Sequence, residues 1–550
     1  MMAGTGHPAK ELEPINGFCA ETKTFRSLRP SLPLPPPSLP ISLTDFLFSI
    51  LPSTSSSSPF LVDAATGHRV TYPSFVSQCR ALSSFLASRF PSLCKNDVAL
   101  VLPPPSLHVP VIYFTLLSLG IVVSPANPLS SASEIRHLVG LSKPVLAFVT
   151  SQAAQKLPTL RHGAILIDSP EFESVLTRNG PKETDPVLRN VNRVTQADPA
   201  TILYSSGTTG RVKGVLMTHG NMIAGVASDR QDEPNPQPVW LFPLPLFHVY
   251  GFAVILRAFG RGATVILMGK FEFEAVLKAV EKYRVDLLPV SPPIVLALVK
   301  SELIGKYDLS SLRVVMSGGA PLGKEVSERF QQKFPTVELV QGYALTESLL
   351  GSRMMGPDET KQYGSVGRLS EYMEAKIVDP VTGEALPPGC KGELWLCGPA
   401  IMKGYVGDDK ATAEILDPDG WLKTGDLCYF DSEGFLYIVD RLKELIKYKA
   451  YQVPPAELEH LLQSHQQIAE AAVIPYPDEE AGQVPMAFVV RKPGAYITES
   501  EIMNFIAEQV APYKKIRRVA FISSIPKNPA GKILRRELIS HALSAGSAKL

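Results

Sequence analysis

Short apolar runs alternate with longer amphipathic segments through the first part of the chain. Residues 98–102, 145–149, 164–167 and 201–204 have the composition of buried strands, and 74–90 has that of a helix. Residues 264–268, 285–290 and 314–316 continue the series of strands, and 272–283 and 323–334 continue the series of helices. Strands that alternate with helices favour parallel βαβ layers. We therefore predict an α/β fold.

The pattern changes after about residue 389. Residues 392–398 and 434–439 are short apolar runs bounded by glycine. Such runs indicate an antiparallel or barrel-like subdomain. We predict that the large N-terminal domain, residues 60–440, combines parallel βαβ layers with this small subdomain.

A last unit, residues 441–550, has a composition of its own. It contains strand-like runs at 471–474 and 486–490. One of its helices begins after Thr498, and Glu501 lies at the spacing of a capping box. We predict a small α+β C-terminal domain.

The N-terminal residues 1–59 are biased towards proline and serine from about residue 26. A biased segment of this kind cannot form a core by itself, so we expect an extended arm on the surface, in preference to an SH3 ligand. The most apolar stretch of the chain, residues 109–125, is too short to cross a bilayer, which needs about 20 residues. It has the pattern of a buried helix followed by a strand.

Composition narrows the class of protein further. A chain of 550 residues implies more than one domain, and 45% hydrophobic with 19% charged residues is typical of a globular protein. A net charge of +1 provides no overall field for nucleic acid or a membrane surface. We identify no signal peptide, and the six scattered cysteines suit packing in a reducing compartment.

The segment from Tyr204 to Gly214 carries the first candidate chemistry. It contains three glycines and four serine or threonine hydroxyls and ends with Lys213-Gly214. Glycine allows close approach of the backbone to an anion, hydroxyl and N–H groups donate to its oxygens, and lysine adds charge. The order of its last residues differs from a Walker A loop. We predict a phosphate-binding loop; the alternative is a flexible surface loop.

A second candidate lies in the basic C-terminal region. Pro529-Ala-Gly-Lys532 places a lysine on a glycine turn. A basic run is usually a solvated face, which is the alternative interpretation. A lysine presented by a turn is also able to reach a phosphate.

Five motifs in order carry a resemblance to a known family. They are Ser205-Ser-Gly-Thr-Thr-Gly210 with Lys213, Gln341-Gly-Tyr-Ala-Leu-Thr-Glu347, Trp421-Leu-Lys-Thr-Gly-Asp426, Asp440-Arg-Leu-Lys-Glu-Leu-Ile-Lys447 and Pro526-Lys-Asn-Pro-Ala-Gly-Lys532. In this order they resemble the adenylate-forming superfamily of acyl-CoA synthetases, luciferases and peptide-synthetase adenylation domains. The sequence is most similar to plant 4-coumarate–CoA ligases and their ligase-like relatives.

The resemblance implies an ATP-dependent acid–CoA ligase that acts in two steps. A carboxylate first attacks the α-phosphate of ATP and releases pyrophosphate, and the thiol of CoA then attacks the acyl-AMP. Two anions meet in the first step, so the site needs preorganised cations and donors. The resemblance also implies that the C-terminal domain is mobile.

The resemblance also assigns nucleotide-binding residues. It places the ATP phosphates on Ser205, Ser206, Gly207, Thr208, Thr209, Lys213 and Thr346, adenine on Gln341, Gly342 and Tyr343, and ribose on Asp426 and Arg441. Glu347 is implied to bind Mg²⁺, a hard cation that prefers carboxylate oxygen. Lys532 is implied to bridge the carboxylate and the α-phosphate, Lys447 and Gln452 to face the adenylate, and Lys443 to be the hinge.

For CoA, the resemblance implies contacts with Lys270, Lys449 and Ala450. For the acyl group, it implies His248, Tyr250, Val254, Gly319, Ala320, Ala344 and Leu350; a core histidine is the alternative for His248. Ala344, Leu350 and Gly351 depart from the Gly and Pro-Val of coumarate ligases. We therefore expect an apolar tube that prefers medium or long aliphatic acids, or unsubstituted aryl acids, over 4-coumarate.

The last three residues, Ala548-Lys-Leu550, are a variant of the Ser-Lys-Leu peroxisomal address. We expect a peroxisomal location through the import receptor, with a cytoplasmic location as the alternative. Two other functions stay open: an acyl-adenylate former that passes its acyl group to a different acceptor, and a nucleotide-binding protein without turnover. Neither nucleic acid nor a membrane span is expected.

Overall fold

The computed structural model describes residues 12–30, 33–52, 58–177, 194–205, 212–228, 237–449, 451–528 and 531–547. The strands are β1 Phe18–Cys19, β2 Thr24–Arg26, β3 Pro59–Asp63, β4 Arg69–Thr71, β5 Val98–Val101, β6 Val122–Pro125, β7 Leu146–Val149, β8 Ala164–Leu166, β9 Pro199–Ser205, β10 Lys213–Thr218, β11 Val239–Phe242, β12 Thr264–Leu267, β13 Leu287–Val290, β14 Val314–Ser317, β15 Glu338–Leu345, β16 Ser348–Arg353, β17 Arg368–Leu369, β18 Glu374–Val378, β19 Ala385–Leu386, β20 Gly392–Cys397, β21 Gly404–Tyr405, β22 Leu422–Phe430, β23 Leu436–Arg441, β24 Ile446–Tyr448, β25 Tyr451–Val453, β26 Ile468–Asp478, β27 Gly482–Arg491 and β28 Arg518–Phe521. The helices are α1 Leu43–Ser49, α2 Tyr72–Arg89, α3 His108–Ser118, α4 Ala132–Ser142, α5 Ser151–Ala154, α6 Pro170–Thr177, α7 His219–Ala227, α8 Val249–Gly260, α9 Phe273–Tyr283, α10 Pro292–Lys300, α11 Lys324–Lys333, α12 Gly356–Glu359, α13 Asp409–Ile415, α14 Pro455–Ser464, α15 Glu499–Ala507 and α16 Arg535–Ser547.

Two mostly parallel sheets form the large N-terminal part. The first has the order β21-β10-β9-β6-β5-β7-β8, in which β9 to β8 are parallel and β10 and β21 are antiparallel. The second has the order β17-β16-β15-β14-β13-β11-β12-β3-β4, parallel from β15 to β3. The predicted parallel βαβ layers are confirmed, and strand and helix ends mostly lie within two residues of the predicted ones.

A third sheet is antiparallel and has the order β1-β2-β18-β20-β22-β23, with β19 paired to β18. Its strands include the two glycine-bounded runs of the sequence. Antiparallel pairing there agrees with the prediction, and Gly434, with φ of +81°, lies in the turn that connects β22 to β23.

The C-terminal part forms a fourth sheet with the order β25-β24-β27-β26, to which β28 adds in parallel. Its hairpin strands β26 and β27 run longer than predicted because they pair along their whole length. The capping box at α15 is present, since Thr498 accepts from the N–H of Glu501 and Glu501 accepts in return. Residues between Ile446 and Val519 bury an apolar core of their own. The α+β class is confirmed, while a domain boundary at residue 441 stays a prediction.

The prediction of an extended surface arm is wrong for the described part of residues 1–59. Strands β1 and β2 join the third sheet, and the fully buried ring of Phe25 stacks on Phe430 at 4.2 Å between centroids. Helix α1 lies in the core of the large part, where the N–H of Leu43 donates to Nδ1 of His219. The bias towards proline and serine concealed a few apolar residues, and these are sufficient to anchor the segment.

The stretch 109–125 is a buried helix and strand, α3 and β6, as predicted. In the part of the chain that the structure describes, no helix has the length and apolar character that a membrane crossing requires.

Candidate active site

The ends of the predicted phosphate loop are held together by an antiparallel hairpin. Strands β9 and β10 pair so that Ser205 lies opposite Lys213. Strand β9 is parallel to β6 on its other side, so the hairpin continues the first sheet. The loop residues Ser206, Gly207, Thr208 and Thr209 lie outside the described residues, which include both ends of the loop.

Lys213 and Glu347 are linked through a residue that the sequence did not suggest. The ammonium of Lys213 lies over the ring of Tyr405, 4.4 Å from its centroid. The hydroxyl of Tyr405 donates to Oε1 of Glu347 at 2.8 Å. Burial, with the charge of Glu347 second, raises the pKa of Tyr405, so the hydroxyl keeps its proton. The site thus brings one cation to the face of the Tyr405 ring and one carboxylate to its hydroxyl.

Tyr405 comes to this place by strand pairing. Strand β21 adds to β10 with Tyr405 opposite Val215. Nothing in the local sequence around Gly404-Tyr405 marks the residue, because the pairing joins segments far apart in the chain.

Glu347 provides oxygen ligands of the kind that Mg²⁺ prefers. Across the described ranges, no group of three or more His, Cys, Asp or Glu side chains is arranged to hold a metal ion. Mg²⁺ usually takes one or two carboxylates together with substrate phosphates. A single carboxylate close to Lys213 and the ends of the predicted loop fits this pattern.

Tyr343, Asp426 and Arg441 form the second cluster. The hydroxyl of Tyr343 donates to Oδ2 of Asp426 at 2.5 Å, and Nε of Arg441 lies 3.4 Å from Oδ1. Asp426 and Arg441 are opposite each other on β22 and β23, where side chains of facing residues meet. Burial raises the pKa of Asp426, and the charge of Arg441 opposes that rise. The cluster joins strand β15 to the third sheet.

The charge of Lys532 acts on this cluster. Burial, followed by the charge of Arg441, lowers the pKa of Lys532, while Glu444 and Asp426 act in the opposite direction. Gly531 has φ of +83°, and the turn closes through a bond from the N–H of Lys532 to Oδ1 of Asn528 at 2.9 Å. A turn at Gly531 therefore holds Lys532 within the range of the charges of Arg441, Glu444 and Asp426.

A buried ion-pair network supports this turn. Arg535 donates from Nε to Glu444 at 2.8 Å and from Nη2 to Glu459 at 3.0 Å, and its Nη1 also contacts Glu459. Asp440 accepts from the N–H of Ala456 at 2.9 Å in the first turn of α14, and burial raises the pKa of Asp440 to about 6. The sequence analysis missed Arg535, which lies in a basic run that resembles a solvated face.

Some predicted residues lie apart from these clusters. Lys447 and Gln452 are exposed partners on the hairpin of β24 and β25, whose other strand contacts are with β27. Lys443 and Lys270 are exposed as well. This arrangement turns the hairpin to solvent while Lys532 faces the site.

The remaining assigned residues are placed as follows. Lys449 is exposed with φ of +52°, and Ala450 is not among the described residues. The buried side chain of Gln341 donates to Ser327 at 3.4 Å, so contact with a nucleotide would come from its backbone. Gly342 and Thr346 flank Tyr343 and Glu347 along β15 and the turn after it.

The residues assigned to the acyl group surround the start of α8. Tyr250 donates to the carbonyl of Met316 at 2.8 Å, and Val254 and Leu350 are buried. Gly319 and Ala320 follow β14, and Ala344 is exposed on β15. Burial lowers the pKa of His248, whose Nδ1 accepts from the N–H of Tyr250, so this imidazole is neutral at physiological pH.

Glycine is required at position 351 for a steric reason that the sequence did not reveal. A Cβ added there would lie 2.6 Å from the carbonyl oxygen of Tyr343 and 2.8 Å from its ring. Glycine at this position therefore lets β16 approach Tyr343 closely.

A cavity of about 470 Å³ has one of the residues assigned to the acyl group, His248, in its wall. Its walls come from the ends of β6 and β9, from α4 and from Phe247 and His248. Tyr204 in its wall is fixed by hydrogen bonds to Ser124 at 2.6 Å and Ser142 at 2.9 Å.

Comparison with protein families agrees with these features. Residues 53–406 match the family of AMP-binding enzymes, and residues 457–532 match the AMP-binding enzyme C-terminal domain. The chain is 57% identical to 4-coumarate–CoA ligase-like 9 of Arabidopsis thaliana, over 97% of this chain and 98% of the relative. It is 46% identical to peroxisomal OPC-8:0-CoA ligase 1 of the same plant, over 96% of this chain and 98% of that relative.

Solved structures share the fold. An anthranilate CoA ligase, AuaEII, in complex with anthranoyl-AMP has a TM-score of 0.82 at 22% identity, covering 94% of this chain and 99% of its own. ATP-bound MatB from Rhodopseudomonas palustris has a TM-score of 0.80 at 23% identity, covering 91% and 99%. At these identities the likeness concerns the fold alone.

Proposed function

The chain belongs to the AMP-binding enzyme family, and we propose that it joins a carboxylic acid to CoA through an acyl-AMP intermediate. In the first step, a carboxylate oxygen attacks the α-phosphorus of ATP and pyrophosphate leaves. In the second step, the CoA sulfur attacks the acyl carbonyl and AMP leaves. Both steps are group transfers without redox change.

The observation that carries this proposal is the turn that holds Lys532 within the range of the charges of Asp426 and Arg441. The ammonium of Lys532 has three donors, which can serve a carboxylate and an α-phosphate together. Asp426 accepts from Tyr343 and pairs with Arg441, so the partners of a ribose are preorganised. Since two anions must meet in the first step, a half-buried cation at this place stabilises their approach.

The opposite side of the site suits the leaving pyrophosphate. Lys213 supplies positive charge at the end of the predicted phosphate loop, beside Tyr405. Glu347 would hold Mg²⁺ together with the phosphates of ATP, and the bound ion would offset their charge. Tyr405 fixes the carboxylate of Glu347 by donating to it.

For the substrate, we propose a medium or long aliphatic acid or an unsubstituted aryl acid. Tyr250 already donates to Met316, and Val254 and Leu350 are apolar and buried, so these three residues offer no free hydrogen-bond donor for a 4-hydroxyl group. Each buried CH₂ contributes about 0.8 kcal/mol, so affinity should rise with chain length until the space is filled.

The test is incubation of the protein with ATP, Mg²⁺ and a panel of acids. Labelled pyrophosphate should exchange into ATP with the preferred acids, and CoA thiol should then be consumed with formation of acyl-CoA, measured by mass. Exchange without CoA consumption would instead support transfer of the acyl group to a different acceptor. If neither reaction occurs, the protein binds nucleotide without turnover. Preference for 4-hydroxylated cinnamates over all aliphatic acids would contradict the proposed substrate class.

Lys213→Ala should weaken the use of ATP and leave the fold unchanged. Loss of one charge-assisted contact costs about 1.5–3 kcal/mol, which is roughly a 10- to 150-fold fall in kcat/KM for ATP. Steady-state kinetics at varied ATP measure this. Lys403→Ala, at an exposed lysine just before β21, is the matched control and should leave the kinetics unchanged. Equal kinetics in both variants would refute a phosphate role for Lys213.

We further propose that the protein is imported into peroxisomes through Ala548-Lys-Leu550, residues outside the described part of the chain. A relative at 46% identity is named as peroxisomal. A fluorescent protein fused to the N-terminus should be peroxisomal, and removal of Lys549 and Leu550 should make it cytosolic. A fusion with an intact tail that stays cytosolic would contradict the address.

A further inference from the structure

The first helix of the C-terminal part, α14, packs directly on α11 of the large part. Their contact point is Gly323, the residue before α11. A Cβ on Gly323 would lie 2.9 Å from Cγ of His460 and 3.1 Å from its Cβ. The backbone of Gly323, with φ of −66° and ψ of 150°, is open to any residue. Glycine is therefore required here by the approach of α14 and not by the local backbone.

Two cations of the large part hold the end of α14 and the segment after it. Nη2 of Arg329 donates to the carbonyl of Ser464, the last residue of α14, at 2.8 Å. Nζ of Lys300 donates to the carbonyl of Ile468 at 2.8 Å and lies 3.5 Å from that of Ala469. Carbonyls at a helix C-terminus lack partners within the helix and carry partial negative charge. These three residues, Gly323, Arg329 and Lys300, are called the dock below.

Helix α10 connects the dock to the reactive turn. Its last residue is Lys300, while Ser291 and Pro293 at its start lie against Gly531. A Cβ on Gly531 would be 3.2 Å from Oγ of Ser291 and 3.5 Å from Pro293. Both ends of α10 thus contact the C-terminal part, one at the dock and one beside Lys532.

We propose that the dock residues are positioning residues that hold the C-terminal part in the arrangement that places the turn of Gly531 and Lys532 against the start of α10. The hairpin with Lys447 and Gln452 is exposed in this arrangement. If that hairpin serves the thioester step, the dock must open between the two half-reactions. The stability of the dock contacts then sets which fraction of the molecules is arranged for adenylation and which fraction for thioester formation. This inference rests on the two-step function proposed above.

Gly323→Ser tests the dock directly. Serine adds the Cβ that meets His460, while its hydroxyl is a better helix cap than glycine, so α11 itself is not weakened. We expect pyrophosphate exchange to fall about tenfold or more, as overpacking of a tight contact implies. Thioester formation from synthetic acyl-AMP should be unchanged or faster. Gly305→Ser is the matched control, because no atom lies within 4 Å of a Cβ there.

Arg329→Met and Lys300→Met should each have the same effect as Gly323→Ser: lower pyrophosphate exchange, and thioester formation that is unchanged or faster. Arg329→Lys should recover part of the lost pyrophosphate exchange. Equal loss of both half-reactions in Gly323→Ser, or no change in either, would overturn the proposal. If the wild-type protein performs neither half-reaction, the proposed function fails. Amide hydrogen exchange of α14 then tests separately whether the dock holds this helix. Faster exchange in Gly323→Ser than in Gly305→Ser supports the dock, and equal exchange overturns it.

Discussion

Replacement of Lys532 by alanine is expected to remove most of the first half-reaction and to spare the second. In the proposed function this ammonium serves the carboxylate and the α-phosphate together, and its positive charge is needed only while both are anions. Loss of one preorganised donor costs roughly 10²-fold or more in rate. Pyrophosphate exchange should fall by that factor. Acyl-CoA formation from synthetic acyl-AMP should stay near the wild-type rate.

Lys527→Ala is the matched control for this variant. Lys527 lies just before the turn that carries Lys532, and its ammonium pairs with Glu470 at 2.9 Å. Both half-reactions should stay near wild type in the control. Equal loss of the two half-reactions in Lys532→Ala, with normal folding, would mean that one arrangement performs all the chemistry. The dock would then have no function in catalysis.

Arg535→Met should cause the largest loss of stability. Arg535 is the shared partner of Glu444 and Glu459, and the side chain of Glu459 is only 7% exposed. Removing one partner of a buried ion pair leaves an uncompensated charge and costs about 3–5 kcal/mol. Methionine keeps most of the side-chain volume, so the loss of stability comes from the missing positive charge. Urea unfolding should show an earlier transition of the C-terminal part, and exposed Arg536→Ala should not.

The stability difference between the wild type and Arg535→Met should depend on pH in a predictable direction. Burial alone would raise the pKa of Glu444, but the charges of Arg535, Lys532 and Arg441 hold it below its usual value. Ionised Glu444 therefore stabilises the wild type at neutral pH, and this contribution is lost as pH falls through its folded pKa. The difference between the wild type and Arg535→Met should be largest near about pH 7 and shrink in acid. A difference that grows in acid would contradict the network.

The sequence predicted the parallel layers because buried strands of this kind are continuous apolar runs, which need no knowledge of their neighbours. Tyr343, Asp426 and Lys532 were found through motifs, since each belongs to a local pattern. Tyr405 and Arg535 were missed because their partners, Glu347 and Glu459, are brought to them by tertiary pairing.

Two further differences have physical causes. Composition of the N-terminal segment was dominated by proline and serine, but stability depends on the few buried rings, such as that of Phe25. The motif analysis assigned Lys447 and Gln452 together with Lys532 to one site, because a motif does not give the place of its residues in three dimensions. In the structure Lys447 and Gln452 are exposed on the hairpin of β24 and β25.

The pairing of β2 with β18 has a consequence for synthesis of the chain. Phe25 meets its strand partner Ala375 only after roughly 350 more residues, which takes about 20–70 s at ordinary elongation rates. During that time the rings of Phe18 and Phe25 have no sheet to cover them, and such long-range pairing is intrinsically slow. Strands β5 and β6 are close in sequence and can pair far earlier. Nascent chains that end before β18 should therefore be the ones that need a chaperone.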